Sequence, residues 1–335
     1  MILITGSAGF IGFHLAEKLL QENIKVIGVD NINNYYDTKL KKNRLKILLK
    51  YKNFSFYKKD LTRVNAIEKI FKTNKIDYVV HLAAQAGVRY SVINPEAYIA
   101  SNINGYFNIL NLSKKFRVKH FIYASSSSVY GSHNKFPFKE KYNVSYPTQL
   151  YAATKVSNEL MAHAFSNLYN LPTTGLRFFT VYGPYGRPDM SLFRFVNNIY
   201  KNKTINVFNR GNHFRDFTYI DDITHSIKLI IKKIPNKKKA KGKIFGVNES
   251  GAPYRIINIG GNKSVKLDKY ISLIEKIIGK KAKKKYLGLQ MGDVIKTQAC
   301  NDKIKSITKF APKTDLKIGL EKYIIWFKQY YKIKK

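Results

Sequence analysis

Tyr151 and Lys155 stand four residues apart in Tyr151-Ala152-Ala153-Thr154-Lys155. On a helix that spacing puts a phenol and an ammonium on one face. A cation beside a phenol favours phenolate and lowers a pKa of about 10. Such a phenol can act as a general base near neutral pH. Upstream, Ser125-Ser126-Ser127-Ser128 runs into Val129-Tyr130-Gly131. A serine at that place can hydrogen-bond a reacting hydroxyl and relay its proton. Ser126 is the first choice for this role and Ser127 the second.

A second constellation belongs to a dinucleotide. Gly6-Ser7-Ala8-Gly9-Phe10-Ile11-Gly12 lies between a β-rich run and an amphipathic one. Gly6 permits a tight turn, Gly9 lets backbone approach a pyrophosphate, and Gly12 permits close helix–strand packing. The helix start at Phe10 and Ile11 offers amides and positive potential to phosphates. Asp30 ends the second β-rich run, where an acid accepts hydrogen bonds from an adenosine ribose, with Asn31 beside it. A carboxylate there repels a 2′-phosphate, so NAD is expected rather than NADP. Asp60-Leu61 is placed to meet adenine, and Leu82-Ala83-Ala84-Gln85 to lie against the cofactor. Asn102, opening a helical segment, and Phe179, closing a strand, complete the expected cofactor contacts.

The elements that must hold these groups alternate. Ile2–Thr5, Lys25–Val29, Phe54–Tyr57, Tyr78–Leu82 and Phe121–Ala124 read as buried strands. Phe10–Gln21, Leu40–Lys50, Ala66–Thr73 and Asn102–Phe116 carry apolar residues at helical spacing. This alternation predicts βαβ units and a doubly wound parallel sheet of the Rossmann type. A long helix over Gln149–Tyr169 and a strand at Thr174–Phe179 follow. The remainder breaks into shorter pieces, among them helices at Leu192–Lys201, Ile223–Lys233 and Leu316–Tyr331 and strands near Ile205–Phe208 and Phe214–Tyr219. Residues 1–178 are expected to form the cofactor domain with the Ser, Tyr and Lys. Residues 179–335 are expected to form mainly a smaller mixed α/β substrate lobe, with some segments returning to the sheet.

The 335 residues include 60 Lys+Arg against 21 Asp+Glu, a formal net charge of +39. Nucleic-acid binding, attraction of an anionic substrate and codon bias all produce such an excess. Arg makes up only ten of the 60, whereas phosphate readers favour its bidentate fork. Lys237-Lys238-Lys239-Ala240-Lys241-Gly242-Lys243 reads as a solvated loop, Lys280–Lys285 as a helix end, and Lys332, Lys334 and Lys335 as a frayed tail. None interleaves aromatics as a base-stacking surface would. The lysine excess therefore reads mainly as composition. A hydrophobic content of 44% excludes global disorder. One cysteine, Cys300, forms no internal disulfide, and the seven His are scattered, so no metal site is expected. The start of the chain lacks a leader pattern and no apolar run spans a bilayer, which points to the cytoplasm.

Together, TGSAGFIG, the Asp30 strand end, HLAAQ, SSSSVYG, YAATK and Arg215-Asp216-Phe217-Thr218-Tyr219-Ile220-Asp221-Asp222 resemble the extended short-chain dehydrogenase/reductases that epimerise or dehydrate nucleotide sugars. The resemblance implies that Tyr151 removes the C4-OH proton while hydride leaves C4 for NAD. The 4,6-dehydratases carry an Asp-Glu pair just before Val-Tyr-Gly, and UDP-glucuronate decarboxylases a Glu at the second position. Here both are serine, Ser127 and Ser128. The default outcome is then rotation of the keto sugar and 4-epimerisation.

Segments at Asn33–Asp37 with Leu40-Lys41, Ala86–Ser91, Thr180–Met190 and Ala252-Pro253-Tyr254-Arg255 resemble those of UDP-glucuronate 4-epimerases. This implies that Arg187 holds the sugar carboxylate, helped by Thr180 and Arg89. It also implies that Arg215 meets the diphosphate, and that Asn209, Gln290 and Asp293 line or close the nucleotide site. Met291 stands where Pro is familiar, and Tyr185 where Trp is frequent. A homodimer through the Asn102–Phe116 and Tyr151–Tyr169 helices is implied too. Other UDP-sugar 4-epimerases, a UDP-glucuronate decarboxylase and a non-catalytic nucleic-acid-binding Rossmann protein remain the alternatives.

Overall fold

Strands buried on both faces read as continuous apolar runs, and β1 (Ile2–Thr5) is buried at all four residues. The computed structural model describes residues 1–238, 246–290 and 292–333. Around β1 lie β2 (Val26–Asp30), β3 (Phe54–Lys58), β4 (Tyr78–His81), β5 (His120–Ser126) and β6 (Thr173–Phe178). The later strands are β7 (Thr180–Tyr182), β8 (Ile205–Val207), β9 (Phe214–Tyr219), β10 (Tyr254–Ile259), β11 (Ser264–Lys266) and β12 (Lys284–Tyr286). Among the described residues the main sheet has the order β10-β6-β5-β4-β1-β2-β3, with every pairing parallel. Strand order reverses between β1 and β4. Ligands of open α/β sheets bind beyond the carboxyl ends of the strands at such a point. Register aligns Thr5 with both Val29 and His81, so Gly6, Asp30 and Leu82 emerge side by side.

Parallel strands need crossovers, and helices α1 (Phe10–Gln21), α2 (Thr38–Leu48) and α3 (Val64–Thr73) supply the first ones. Short α4 (Tyr90–Ile93) and α5 (Pro95–Tyr98) lead into a widened π-helical segment, Ile99–Gly105, and then α6 (Tyr106–Lys115). The helix read from the sequence as Asn102–Phe116 thus begins inside a π turn. There the Asn102 side chain is turned onto the backbone of Gln85. The chain continues with α7 (Leu150–Tyr169), α8 (Ser191–Tyr200), α9 (Ile220–Ile231), α10 (Leu267–Ile278), α11 (Asp302–Thr308) and α12 (Leu316–Tyr330).

Phe13, Leu15 and Leu19 of α1 pack with Ile223, Ile227 and Ile230 of α9 on one side of the sheet. Ile67, Ile70 and Phe71 of α3 pack with Ile109 and Leu110 of α6 on the other. Each such side chain removed from water contributes roughly 1.5–3 kcal/mol. A separate core joins α8, α10 and α12 through Phe195, Ile199, Ile271, Ile274, Tyr323 and Phe327. β7, β9 and β11 form its small sheet, and β8 pairs with β12.

Two readings of the sequence change here. β10 pairs with β6, so Ala252–Arg255 belongs to the sheet edge rather than the cleft. Lys284 and Lys285, read as a helix end, start β12, while Gly279 closes α10 in the left-handed conformation. Residues 239–245 of the lysine loop, Met291, Lys334 and Lys335 lie outside the described residues.

Candidate active site

A cleft of about 610 Å3 opens at the strand ends where the order reverses. The glycine turn forms its floor. Gly6 has φ +72°, and a Cβ there would stand 2.7 Å from the Ala83 amide nitrogen. A Cβ on Gly9 would stand 2.9 Å from Gly6 O. α1 then starts with no side-chain cap, leaving first-turn amides for a ligand. Phe10, Ile11 and Gly12 line the cleft at this point.

Asp30 lies alongside. Its Oδ2 accepts from Ala8 N at 3.1 Å and its Oδ1 from Ile32 N at 2.8 Å. Burial pushes its carboxyl above the usual range, against pull-down by Ile32 N and Lys41. A ribose hydroxyl pair would relieve that cost through the remaining lone pairs. Asn31 Nδ2 donates to Asp60 Oδ2 at 2.8 Å, closing the adenine end. A compact amide floor with an acid beside it thus fits a dinucleotide without a 2′-phosphate.

The reacting groups stand at the other end. Ser126 ends β5, while Tyr151 and Lys155 lie in the first two turns of α7. Burial pushes the Tyr151 phenol up from its ordinary value, and Ser126 and Arg187 pull it back down. Lys155 Nζ donates to Ala124 O at 2.9 Å, which turns its charge toward the strand end. Burial lowers this ammonium to about 8, and Glu159 pushes it back up. Glu159, one further turn along α7, pairs with buried Arg177 and accepts from Ser125 Oγ at 2.5 Å. Ser126 is the serine set against the phenol. Ser127 starts the next turn and also lines the cleft.

Gly6, Gly9, Phe10, Ile11, Gly12, Asp30, Asn31, Asp60, Leu61, Leu82, Ala83, Ala84, Gln85 and Phe179 all line the cleft, as do Thr180, Arg187, Arg215 and Asp293. Four expected residues do not. Asn102 is buried behind the wall, where it bonds Gln85 N, Gln85 O and Thr154 Oγ1. Arg89 is turned to Asp293, at 3.0 Å, and covers the Phe208 ring. Asn209 sits in a left-handed turn and donates to Asn212 O. Gln290 accepts from Asp293 N through its backbone.

Other lining residues went unassigned from the sequence. Lys41 Nζ donates to Asn33 Oδ1 at 2.6 Å, and burial lowers it to about 8 while Asp30 opposes this. Tyr35, Tyr36, Lys59, Thr62, Gln149 and Met190 also reach the cleft. The segment Asn33–Lys41 was legible as a motif, but no spacing rule shows which of its side chains turn inward. Tyr185, in the place of a frequent Trp, packs at tilted and edge-on angles among Phe13, Trp326 and Tyr330, and its carbonyl accepts from Arg44. Among the described residues no three His, Cys, Asp or Glu side chains gather as a metal site. No described helix is long and apolar enough to cross a membrane.

A doubly wound sheet with a glycine turn, an acid on β2 and a serine–tyrosine–lysine group at the switch point defines a Rossmann-type short-chain dehydrogenase. Residues 2–260 match the NAD dependent epimerase/dehydratase family, and the chain belongs to it. It is 51% identical to protein CapI of Staphylococcus aureus over 99% of both chains. It is 44% identical to the UDP-glucuronate 4-epimerase of Thermodesulfobacterium geofontis, covering 98% of this chain and 96% of that one. Its structure is similar to that of UDP-glucuronic acid 4-epimerase from Bacillus cereus in complex with UDP-glucuronic acid and NAD. The TM-score is 0.88 at 32% identity, over 98% of this chain and 99% of the other.

Proposed function

We propose that this chain is an NAD-dependent UDP-glucuronate 4-epimerase that supplies UDP-galacturonate to surface polysaccharide. The carrying observation is the wall facing Tyr151. Ser127 and Ser128 stand where elimination acids would, and Thr180 and Arg187 line the same cleft. The relatives from Thermodesulfobacterium geofontis and Bacillus cereus, both UDP-glucuronate 4-epimerases by name, support the same substrate.

The glycine turn, Asp30, Asn31 and Asp60 hold NAD. The chemistry that bound NAD supplies is reversible hydride acceptance at sugar C4. Tyr151 takes the proton of the C4 hydroxyl through its Oη, with the Ser126 hydroxyl orienting that oxygen. Lys155 keeps positive charge beneath the pair. Neither Ser127 nor Ser128 carries a carboxyl to start elimination, so the 4-keto sugar turns over in the cleft. Tyr151 then returns the proton to the C4 oxygen of the epimer. A 4-keto uronate is a β-keto acid and loses CO2 when its carboxylate bond aligns with the carbonyl π system. Arg187 and Thr180 hold that carboxylate out of alignment through directed hydrogen bonds. Arg215 takes the diphosphate, and Arg89, Asn209, Gln290 and Asp293 shape the nucleotide mouth.

Residues 1–178 act as the cofactor domain and 179–335 mainly as the sugar-nucleotide lobe. The protein works in the cytoplasm as a homodimer and needs no nucleic acid. Incubation with UDP-glucuronate and catalytic NAD is expected to give UDP-galacturonate by chromatography. UDP-pentose and CO2 as main products would sink this reading.

A further inference from the structure

Arg187 is already held by a carboxylate of its own chain. Its Nε donates to Asp189 Oδ1 at 3.0 Å and its Nη2 to Asp189 Oδ2 at 2.5 Å. Nη2 also reaches Ala86 O at 3.3 Å. That fixes one edge of the guanidinium on three acceptors. Nη1 takes no part in these three bonds, and the side chain lines the cleft. Asp189 is itself steadied, because Tyr35 Oη donates to its Oδ2 at 3.1 Å. Tyr35 packs against Tyr90 at 4.8 Å, and Gly87, at φ +114°, leaves room for its hydroxyl, where a Cβ would stand 2.6 Å away.

We infer that Asp189, steadied by Tyr35, is a positioning and specificity-determining residue that locks Arg187 and tempers its charge toward the substrate carboxylate. The inference rests on the uronate reading above. Its physics has two parts. A free guanidinium could follow a carboxylate through many angles, including the one that aligns the C–CO2 bond for loss of CO2. A guanidinium locked at Nε and Nη2 offers Nη1 in one direction only. The keto sugar must also turn while this contact is kept. An uncompensated Arg187 would hold the ground state as firmly as the transition state, which lowers KM without raising kcat. Asp189 offsets that attraction.

Asp189→Asn keeps the shape and removes the charge. With UDP-glucuronate it is expected to lower KM about threefold, lower kcat about tenfold and raise the fraction released as CO2 and UDP-pentose. Tyr35→Phe removes one hydrogen bond from Asp189 and is expected to move all three quantities the same way by less. Thermal melting of both variants reports folding separately. A raised KM, or an unchanged product split in either folded variant, overturns the inference while leaving the epimerase reading intact. If Asp189→Asn does not fold, Tyr35→Phe alone decides by the same signs. A wild-type protein indifferent to UDP-glucuronate removes the uronate reading, and this inference with it.

Discussion

Tyr151 lies under two opposing pressures. Burial disfavours the phenolate, while Ser126 and Arg187 favour it. Its place on α7 was legible from the four-residue spacing to Lys155, because helix periodicity is local. Ser126's place beside it was legible too, but the pull of Arg187 was not, because that side chain comes from a distant loop. Arg187's own charge is opposed by burial and upheld by Asp189. Tyr151→Phe removes the acid–base oxygen and little packing. It is expected to lower turnover about a hundredfold or more with the melting temperature unchanged, measured by a product assay and a thermal melt. Turnover within a few-fold of wild type would remove Tyr151 from the chemistry.

At the scale of elements, β1, the glycine turn and α1 form one unit that any βαβ reading finds. Gly12 shows why: a Cβ there would stand 3.1 Å from Ser7 Cα and closer still to Gly6. The π-helical entry to α6 was not legible, because it depends on Asn102 reaching the backbone of Gln85 across the fold. α6 and α7 also carry exposed apolar side chains, namely Phe107, Leu160, Leu168 and Tyr169. Their exposure on both helices agrees with the proposed homodimer. Light scattering is expected to give the mass of two chains, and Leu160→Glu, at a site 66% exposed, to shift it toward one. A wild-type monomer at micromolar concentration would overturn the dimer.

Across the whole molecule, the buried His81 and His120 and the half-buried His14 weigh heavily in its response to acid. Burial lowers His14 to about 4 and both His81 and His120 to about 3, from an ordinary 6.5. As pH falls below 6.5 the unfolded chain takes up these protons first. The stability they contribute is therefore complete above 6.5 and is lost as pH falls toward 3–4. At pH 5 the loss is roughly 2 kcal/mol for each. Asp216, raised to about 6 by burial against three backbone amides, works the other way, as do Glu17, Asp30, Glu140 and Asp221, whose carboxyls burial also raises, but none of these four is shifted as far as the histidines. The urea midpoint is expected to fall between pH 7 and pH 5, and a flat or rising midpoint would contradict this. The net charge of +39 adds self-repulsion in the same direction.

Sequence alone determined what depends on near neighbours. It showed the βαβ alternation, the glycine turn with its acid on β2, the Tyr–Lys pair and the absence of carboxyls at Ser127 and Ser128. Each is a matter of periodicity or of residue type at a strand end. Only the tertiary structure decided what depends on distant segments meeting. It brought β10 back to the sheet and turned Arg89 onto Asp293. It also set Lys41 into the cleft wall and placed Tyr35 and Asp189 around Arg187. Side-chain direction in loops follows from packing and charge pairing across the fold, and no spacing along the chain encodes it.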